Sequence, residues 1–96
     1  MRTREQILEL LHRAKPELES RYRVRKIALF GSFARGDQRS GSDIDILVEV
    51  DPAIGLGFVE LAERIEELLG SRVDLVSRRA LNARSWETIE PELVYV

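Results

Sequence analysis

The sequence contains no cysteine, one histidine and no long apolar run among its 96 residues. Without thiols, disulfide bridges and thiolate-ligated metal sites are excluded, which fits a reducing compartment. No stretch approaches the roughly 18 consecutive apolar residues that a membrane-spanning helix needs, and the first residues are too charged for a signal peptide. We therefore expect a cytoplasmic protein that does not associate with membranes.

A strong charge of one sign is also missing. Fifteen Lys and Arg residues nearly balance 17 Asp and Glu residues, for a formal net charge of -2. Proteins that hold long nucleic acid by its phosphates are usually basic, so direct binding of long nucleic acid is not expected. The 44% hydrophobic and 33% charged composition is typical of a compact globule, and the length predicts a single domain over residues 1–96.

The apolar pattern predicts alternating helices and strands. Thr3 and Gln6 form a capping-box pattern at the start of a first helix, which Pro16 is expected to kink or restart near Lys15. An amphipathic helix follows from residue 58 to a stop at Gly70. Apolar runs predict strands at 24–30, from 43 or 44 to 50, at 72–77 and, as a final edge strand, at 93–96. This order indicates an α+β fold in which helices pack on a small sheet of three or four strands.

Two aspartates stand where the second predicted strand begins. Asp43 and Asp45 are two residues apart, so on a strand their side chains project from the same face. Two unit charges about 4 Å apart repel by roughly 4 kcal/mol at an effective dielectric near 20, which requires a shared proton or a bound cation. Oxygen-only ligands favour Mg²⁺ or Mn²⁺ over zinc as that cation.

Three further residues extend this candidate site. Asp74 lies inside the apolar run of the third predicted strand, so on an adjacent strand it could join the pair around one or two ions. Gly31 and Ser32 follow the first strand, where the amides of a short helix could hold a phosphate. Arg35 could reach the same phosphate, or pair with Asp37 or a core carboxylate to hold the loop.

In this order the residues resemble the signature of the polymerase beta-like nucleotidyltransferase superfamily. Gly31 and Ser32 are followed by ten residues and then by Asp43-Ile44-Asp45, and "VDLV" around Asp74 matches the third carboxylate of the family. "LFGSFARG", "SDIDILVEV" and the short length are most similar to the minimal nucleotidyltransferases, or MNT proteins, which are commonly paired with HEPN-domain toxins.

The resemblance implies a fold, a reaction and a partner. It implies a mixed sheet and a metal-dependent transfer of AMP from ATP, in MNT antitoxins to a tyrosine hydroxyl of a partner HEPN toxin. Gly31 and Ser32 would then bind phosphates, Asp43 and Asp45 would ligate two Mg²⁺ or Mn²⁺ ions, and Asp74 would hold the catalytic ion and help to deprotonate the acceptor.

Two other functions remain open on the sequence. A binding module with this fold could neutralise a toxin by occlusion alone, although three retained carboxylates are costly for that role. Transfer to a small molecule would need an acceptor pocket, for which 96 residues leave little chain. A homodimer is compatible with either.

Overall fold

A computed structural model describes residues 2–96, which form a four-stranded sheet with helices. The strands are β1 (Val24–Phe30), β2 (Ile44–Val50), β3 (Val73–Ser77) and β4 (Val94–Tyr95). The α-helices are α1 (Arg4–Tyr22), α2 (Gly31–Arg35), α3 (Gly57–Leu69) and α4 (Ala83–Ile89). Short 3₁₀ helices cover Pro52–Ile54, Arg78–Ala80 and Glu90–Glu92. No helix among the described residues is long and apolar enough to cross a membrane.

The sheet is mixed, as the resemblance to the nucleotidyltransferases implies. Its strand order is β3-β2-β1-β4, with β1 antiparallel to both β2 and β4. β2 and β3 run parallel, because α3 carries the chain back between them. The two parallel strands therefore begin at the same edge of the sheet, where β1 ends.

The hydrophobic core lies between one face of this sheet and the helices α1 and α3. Alternate residues of β2 point into it, and both helices contribute buried stripes at helical spacing. Members of this core with no exposed surface are Ile7, Leu11, Leu18, Leu29, Ile44, Ile46, Val48, Leu61, Ile65 and Leu69. The opposite parity of β2 places Asp45 and Glu49 on the other face, away from these helices.

Pro16 does not break the first helix, so the predicted restart near Lys15 is wrong. α1 is continuous from Arg4 to Tyr22 with Pro16 inside it. Its buried stripe continues across the proline through Ala14 and Leu18, so core packing supports an uninterrupted helix despite the missing N–H. The predicted capping box at Thr3 is present.

The C-terminal segment pairs with the sheet more briefly than predicted. β4 contains two residues, where the sequence predicts a strand at 93–96, and it adds to β1 beside Ala28 and Leu29. The Val96 N–H donates to the Ile27 carbonyl oxygen at 3.0 Å, which continues the contact beyond β4. This pairing places the preceding 3₁₀ turn, Glu90–Glu92, near α2.

Candidate active site

Two of the three predicted carboxylates are neighbours across the parallel strands. Asp45 of β2 stands in register with Asp74 of β3, as the sequence predicts for an adjacent third strand. On its other side Asp45 is paired with Phe30, the last residue of β1. The end of β1, the start of α2 and the two aspartates therefore meet at one edge of the sheet.

Asp45 lies in an environment that disfavours its charged form. Burial raises the pKa of this carboxyl, and the negative charges of Asp74 and Asp43 raise it further, while Arg35 alone acts in the opposite direction. The protonated form can also donate a hydrogen bond to Asp74. The site therefore carries more negative charge than its own side chains neutralise, which is the property expected of a cation site.

Asp43 is turned toward a different partner. Its Oδ1 lies 3.3 Å from Nε of Arg72, a residue just before β3, and its side chain is 42% exposed. Within residues 2–96, no three acidic or histidine side chains are close enough together to enclose a metal ion. The structure thus joins Asp45 and Asp74 but leaves Asp43 in an ion pair at the rim.

These carboxylates nevertheless match a hard divalent cation in their chemistry. All three supply oxygen ligands only, and Asp45 already bears an uncompensated negative potential. The Asp43–Arg72 pair is largely exposed, and such pairs are weak, typically about 0–1 kcal/mol. Exchanging Arg72 for a cation on Asp43 therefore costs little.

The backbone and its surroundings at position 31 require glycine. The φ of Gly31 is +74°, a backbone conformation that residues with a side chain rarely adopt. A Cβ built on it would also overlap Oδ2 of Asp45. The absence of a side chain lets the start of α2 approach the Asp45 carboxylate.

Ser32 lies in the first turn of α2. Its carbonyl oxygen accepts hydrogen bonds from the N–H groups of Gly36 and Asp37, at 2.8 and 3.1 Å, and these close the short helix. Its hydroxyl makes no hydrogen bond to another group within residues 2–96. This hydroxyl is therefore available to a ligand.

Arg35 holds two carboxylates, one of them unexpected. Its Nε donates to Asp37 at 3.1 Å, the loop contact predicted from the sequence as one alternative. Its Nη1 donates to Oε2 of Glu92 at 2.8 Å. Both carboxylates raise the pKa of the guanidinium. Glu92 is 57 residues from Arg35, and nothing in the local pattern around either residue identifies the contact.

A surface cavity of about 330 Å³ adjoins the site. Asp43 and Arg72 line it together with Phe33, Gly41, Ser42 and Ser71. Two larger cavities, of about 510 and 460 Å³, are lined by residues around Tyr22 and Glu60, and none of the three aspartates lines them. The candidate site lies beside the smaller cavity, because Asp43 lines that cavity and none of the three aspartates lines the other two.

The mixed sheet, with Asp45 and Asp74 paired at its edge and the turn at Gly31 facing them, agrees with the nucleotidyltransferase class that the sequence resembles. Comparison with known proteins identifies the same class. Residues 11–95 match the model of the nucleotidyltransferase domain family. The chain is 45% identical over 98 residues to the protein adenylyltransferase MntA of Thermococcus cleftensis, covering 100% of this chain and 98% of the relative.

Solved structures give the same result. A protein described as a minimal nucleotidyltransferase superposes with a TM-score of 0.80 at 35% identity, covering 97% of this chain and 95% of that one. The MNT antitoxin in complex with tri-AMPylated HEPN toxin of Shewanella oneidensis gives a TM-score of 0.59 at 27% identity, over 96% of this chain and 66% of that chain. This chain belongs to the nucleotidyltransferase domain family, within the minimal nucleotidyltransferases related to MntA.

Proposed function

We propose that this protein is an adenylyltransferase that transfers AMP from ATP to a tyrosine hydroxyl of a partner HEPN-type toxin and so acts as its antitoxin. The observation that carries the proposal is the register of Asp45 with Asp74 beside Gly31. Similarity to the Thermococcus cleftensis adenylyltransferase over the whole chain supports the reaction. The Shewanella oneidensis complex, whose toxin is tri-AMPylated, supports the choice of acceptor.

The reaction exchanges one phosphoester for another. The acceptor oxygen attacks the α-phosphorus of ATP, the bond from that phosphorus to the bridging oxygen breaks, and pyrophosphate leaves. The acceptor must lose its proton, and Asp74 is the exposed carboxylate on the sheet edge that can take it. Asp74 is therefore the candidate base and Asp45, more buried beside it, a candidate metal ligand.

Asp43, Asp45 and Asp74 would hold two Mg²⁺ or Mn²⁺ ions, with Asp43 released from Arg72. When bound, such ions neutralise the charge that develops on the attacking and leaving oxygens. Burial and the two acidic neighbours raise the pKa of Asp45, which supports its assignment as a metal ligand.

The nucleotide phosphates would lie beside Gly31. Its N–H, the free hydroxyl of Ser32 and the guanidinium of Arg35 are the nearby donors. These donors orient the α-phosphorus toward the paired aspartates, and the missing side chain at position 31 permits the close approach.

The proposal is tested by incubating the protein with ATP, Mg²⁺ and the HEPN-type product of the neighbouring gene. We expect the intact mass of that product to rise by whole AMP units. Asp45→Asn should abolish this labelling, because the substitution removes a charged ligand and leaves the volume unchanged. Glu49→Gln is the matched control, since Glu49 lies on the same strand and face but pairs with Lys26 at 3.7 Å.

Three results would contradict the assignment. Equal labelling by wild type and Asp45→Asn would remove Asp45 from the chemistry. Tight binding of the toxin with no labelling under any divalent cation would instead favour neutralisation by occlusion. Labelling of a small hydroxyl compound in preference to the protein would favour the small-molecule alternative.

A further inference from the structure

The carboxylate of Glu92 accepts hydrogen bonds from two donors at the candidate site. The Gly31 N–H donates to Oε1 of Glu92 at 3.2 Å, and Nη1 of Arg35 donates to Oε2 at 2.8 Å. Both oxygens of one carboxylate are therefore engaged by the two groups proposed above to bind the nucleotide. Glu92 reaches them from the 3₁₀ turn Glu90–Glu92, 61 residues after Gly31.

A phosphate and this carboxylate have the same requirements. Both are anionic oxygen acceptors, and both make their strongest hydrogen bonds with guanidinium and backbone N–H donors. The Gly31 amide has one hydrogen to donate, so it cannot fully serve Glu92 and a phosphate together. Arg35 is more constrained than a free arginine, because Asp37 already occupies its Nε.

We infer that Glu92 lowers the nucleotide affinity of this protein by occupying the Gly31 amide and Arg35. The phosphates of the nucleotide bind these two donors only when the Glu92 carboxylate is released from them. This inference rests on the proposed function. The apparent dissociation constant is the intrinsic one divided by the fraction of molecules in which the donors are free. The Glu92 side chain is 29% exposed, so its charge-assisted contact is moderate and should weaken nucleotide binding about three- to tenfold.

A purely structural role for Glu92 makes the opposite prediction. If the carboxylate served only to orient the Gly31 amide and to fasten the C-terminal segment, its loss would disorder the phosphate donors. Nucleotide binding would then weaken together with protein stability. The direction of the change in affinity therefore separates competition from support.

The test measures binding of a non-hydrolysable ATP analogue with Mg²⁺ by titration calorimetry in Glu92→Gln and Glu92→Ala. We expect about three- to tenfold tighter binding in both, with a matching fall in KM and an unchanged kcat. Glu90→Gln is the matched control and should bind as wild type, because Glu90 is exposed in the same turn and its side chain forms no hydrogen bond or ion pair within residues 2–96.

Equal or weaker binding in a Glu92 variant that still unfolds cooperatively overturns the inference. If the variants do not fold, the wild type decides: a nuclear magnetic resonance titration with inorganic triphosphate should shift the carboxyl carbon of Glu92 and the amide of Gly31 together. A shift of the amide with none at Glu92 overturns the inference. Absence of nucleotide binding by the wild type and every variant overturns the proposed function as well, so the two failures are distinguishable.

Discussion

Asp45, the proposed metal ligand, is a residue whose charge lowers the stability of the folded protein. It is partly buried beside Asp74, its register partner, and across from a glycine that has no room for a side chain. Burial, and then the like charges of Asp74 and Asp43, raise the pKa of its carboxyl, so the charged form destabilises the fold. Such costs at one cluster are typical of functional sites, where the surrounding structure offsets them.

The pKa shift of Asp45 predicts a pH-dependent gain in stability for Asp45→Asn without metal. Because the folded-state pKa is raised, the folded protein binds the proton more tightly, and stability falls as pH rises from the ordinary aspartate pKa through the raised one. Above this window Asp45→Asn should be more stable than wild type, by up to about 1 kcal/mol after allowance for solvent screening.

Chemical denaturation with urea at several pH values measures this gain. It should vanish at pH values below the ordinary aspartate pKa of about 3.9, where Asp45 is protonated in both folded and unfolded states. A variant that is less stable than wild type at neutral pH, in a chelator, would show that the Asp45 charge is already neutralised within the chain.

Among single residues, those of the contiguous segment 31–45 could be placed from the sequence, and their distant partners could not. Gly31 and the aspartate pair are marked by residue type and short spacing, and Asp74 by a charge in an apolar run. Arg72, which holds Asp43, and Glu92, which holds Arg35, are exposed charged residues in ordinary surroundings. Only the fold brings them to the site, so no local signal identifies them.

At the scale of elements, the helices and strands with long apolar patterns were predicted more reliably than the short ones. The amphipathic helix α3 and strands β1 and β2 have long, regular apolar spacing, and the structure confirms them. The prediction for α1 was less reliable because Pro16 disfavours a helix there, whereas packing of the buried side chains favours one. The packing is the stronger effect, and the helix is continuous. β4 has two residues, so its position depends on pairing with β1 rather than on its own sequence.

The continuous α1 predicts that Pro16→Ala stabilises the protein. The substitution restores an N–H inside the helix and removes the clash of the ring with the preceding turn. Part of this gain is offset because the unfolded chain becomes more flexible, so we expect a net gain of about 1–2 kcal/mol.

Thermal unfolding checks the effect of Pro16→Ala, since about 1 kcal/mol corresponds to a rise in Tm of roughly 4–8 °C for a domain of this size. Pro52→Ala is the matched control, because Pro52 begins the 3₁₀ helix Pro52–Ile54 outside α1, where the restored N–H closes no α-helical hydrogen bond. A lower Tm for Pro16→Ala would show that the proline geometry is needed for the packing of α1.

At the scale of the whole molecule, the sheet topology accounts for the site. The parallel pair β2 and β3 aligns Asp45 with Asp74, and the antiparallel β1 brings Gly31 to the same edge. β4 then carries the C-terminal segment back along β1, so that Glu92 closes over Gly31 and Arg35. Gly31 and Arg35, the proposed phosphate donors, are therefore joined to the C-terminal turn, and a change in either part should alter nucleotide binding.

The most direct test of nucleotidyl transfer follows the label from ATP. The protein and its HEPN-type partner are incubated with Mg²⁺ and ATP labelled at either the α- or the γ-phosphorus. The proposed function predicts that the α-label becomes covalently attached to the partner and that the γ-label appears in pyrophosphate. Attachment of the γ-label, or of neither label while the partner is bound and neutralised, would contradict it.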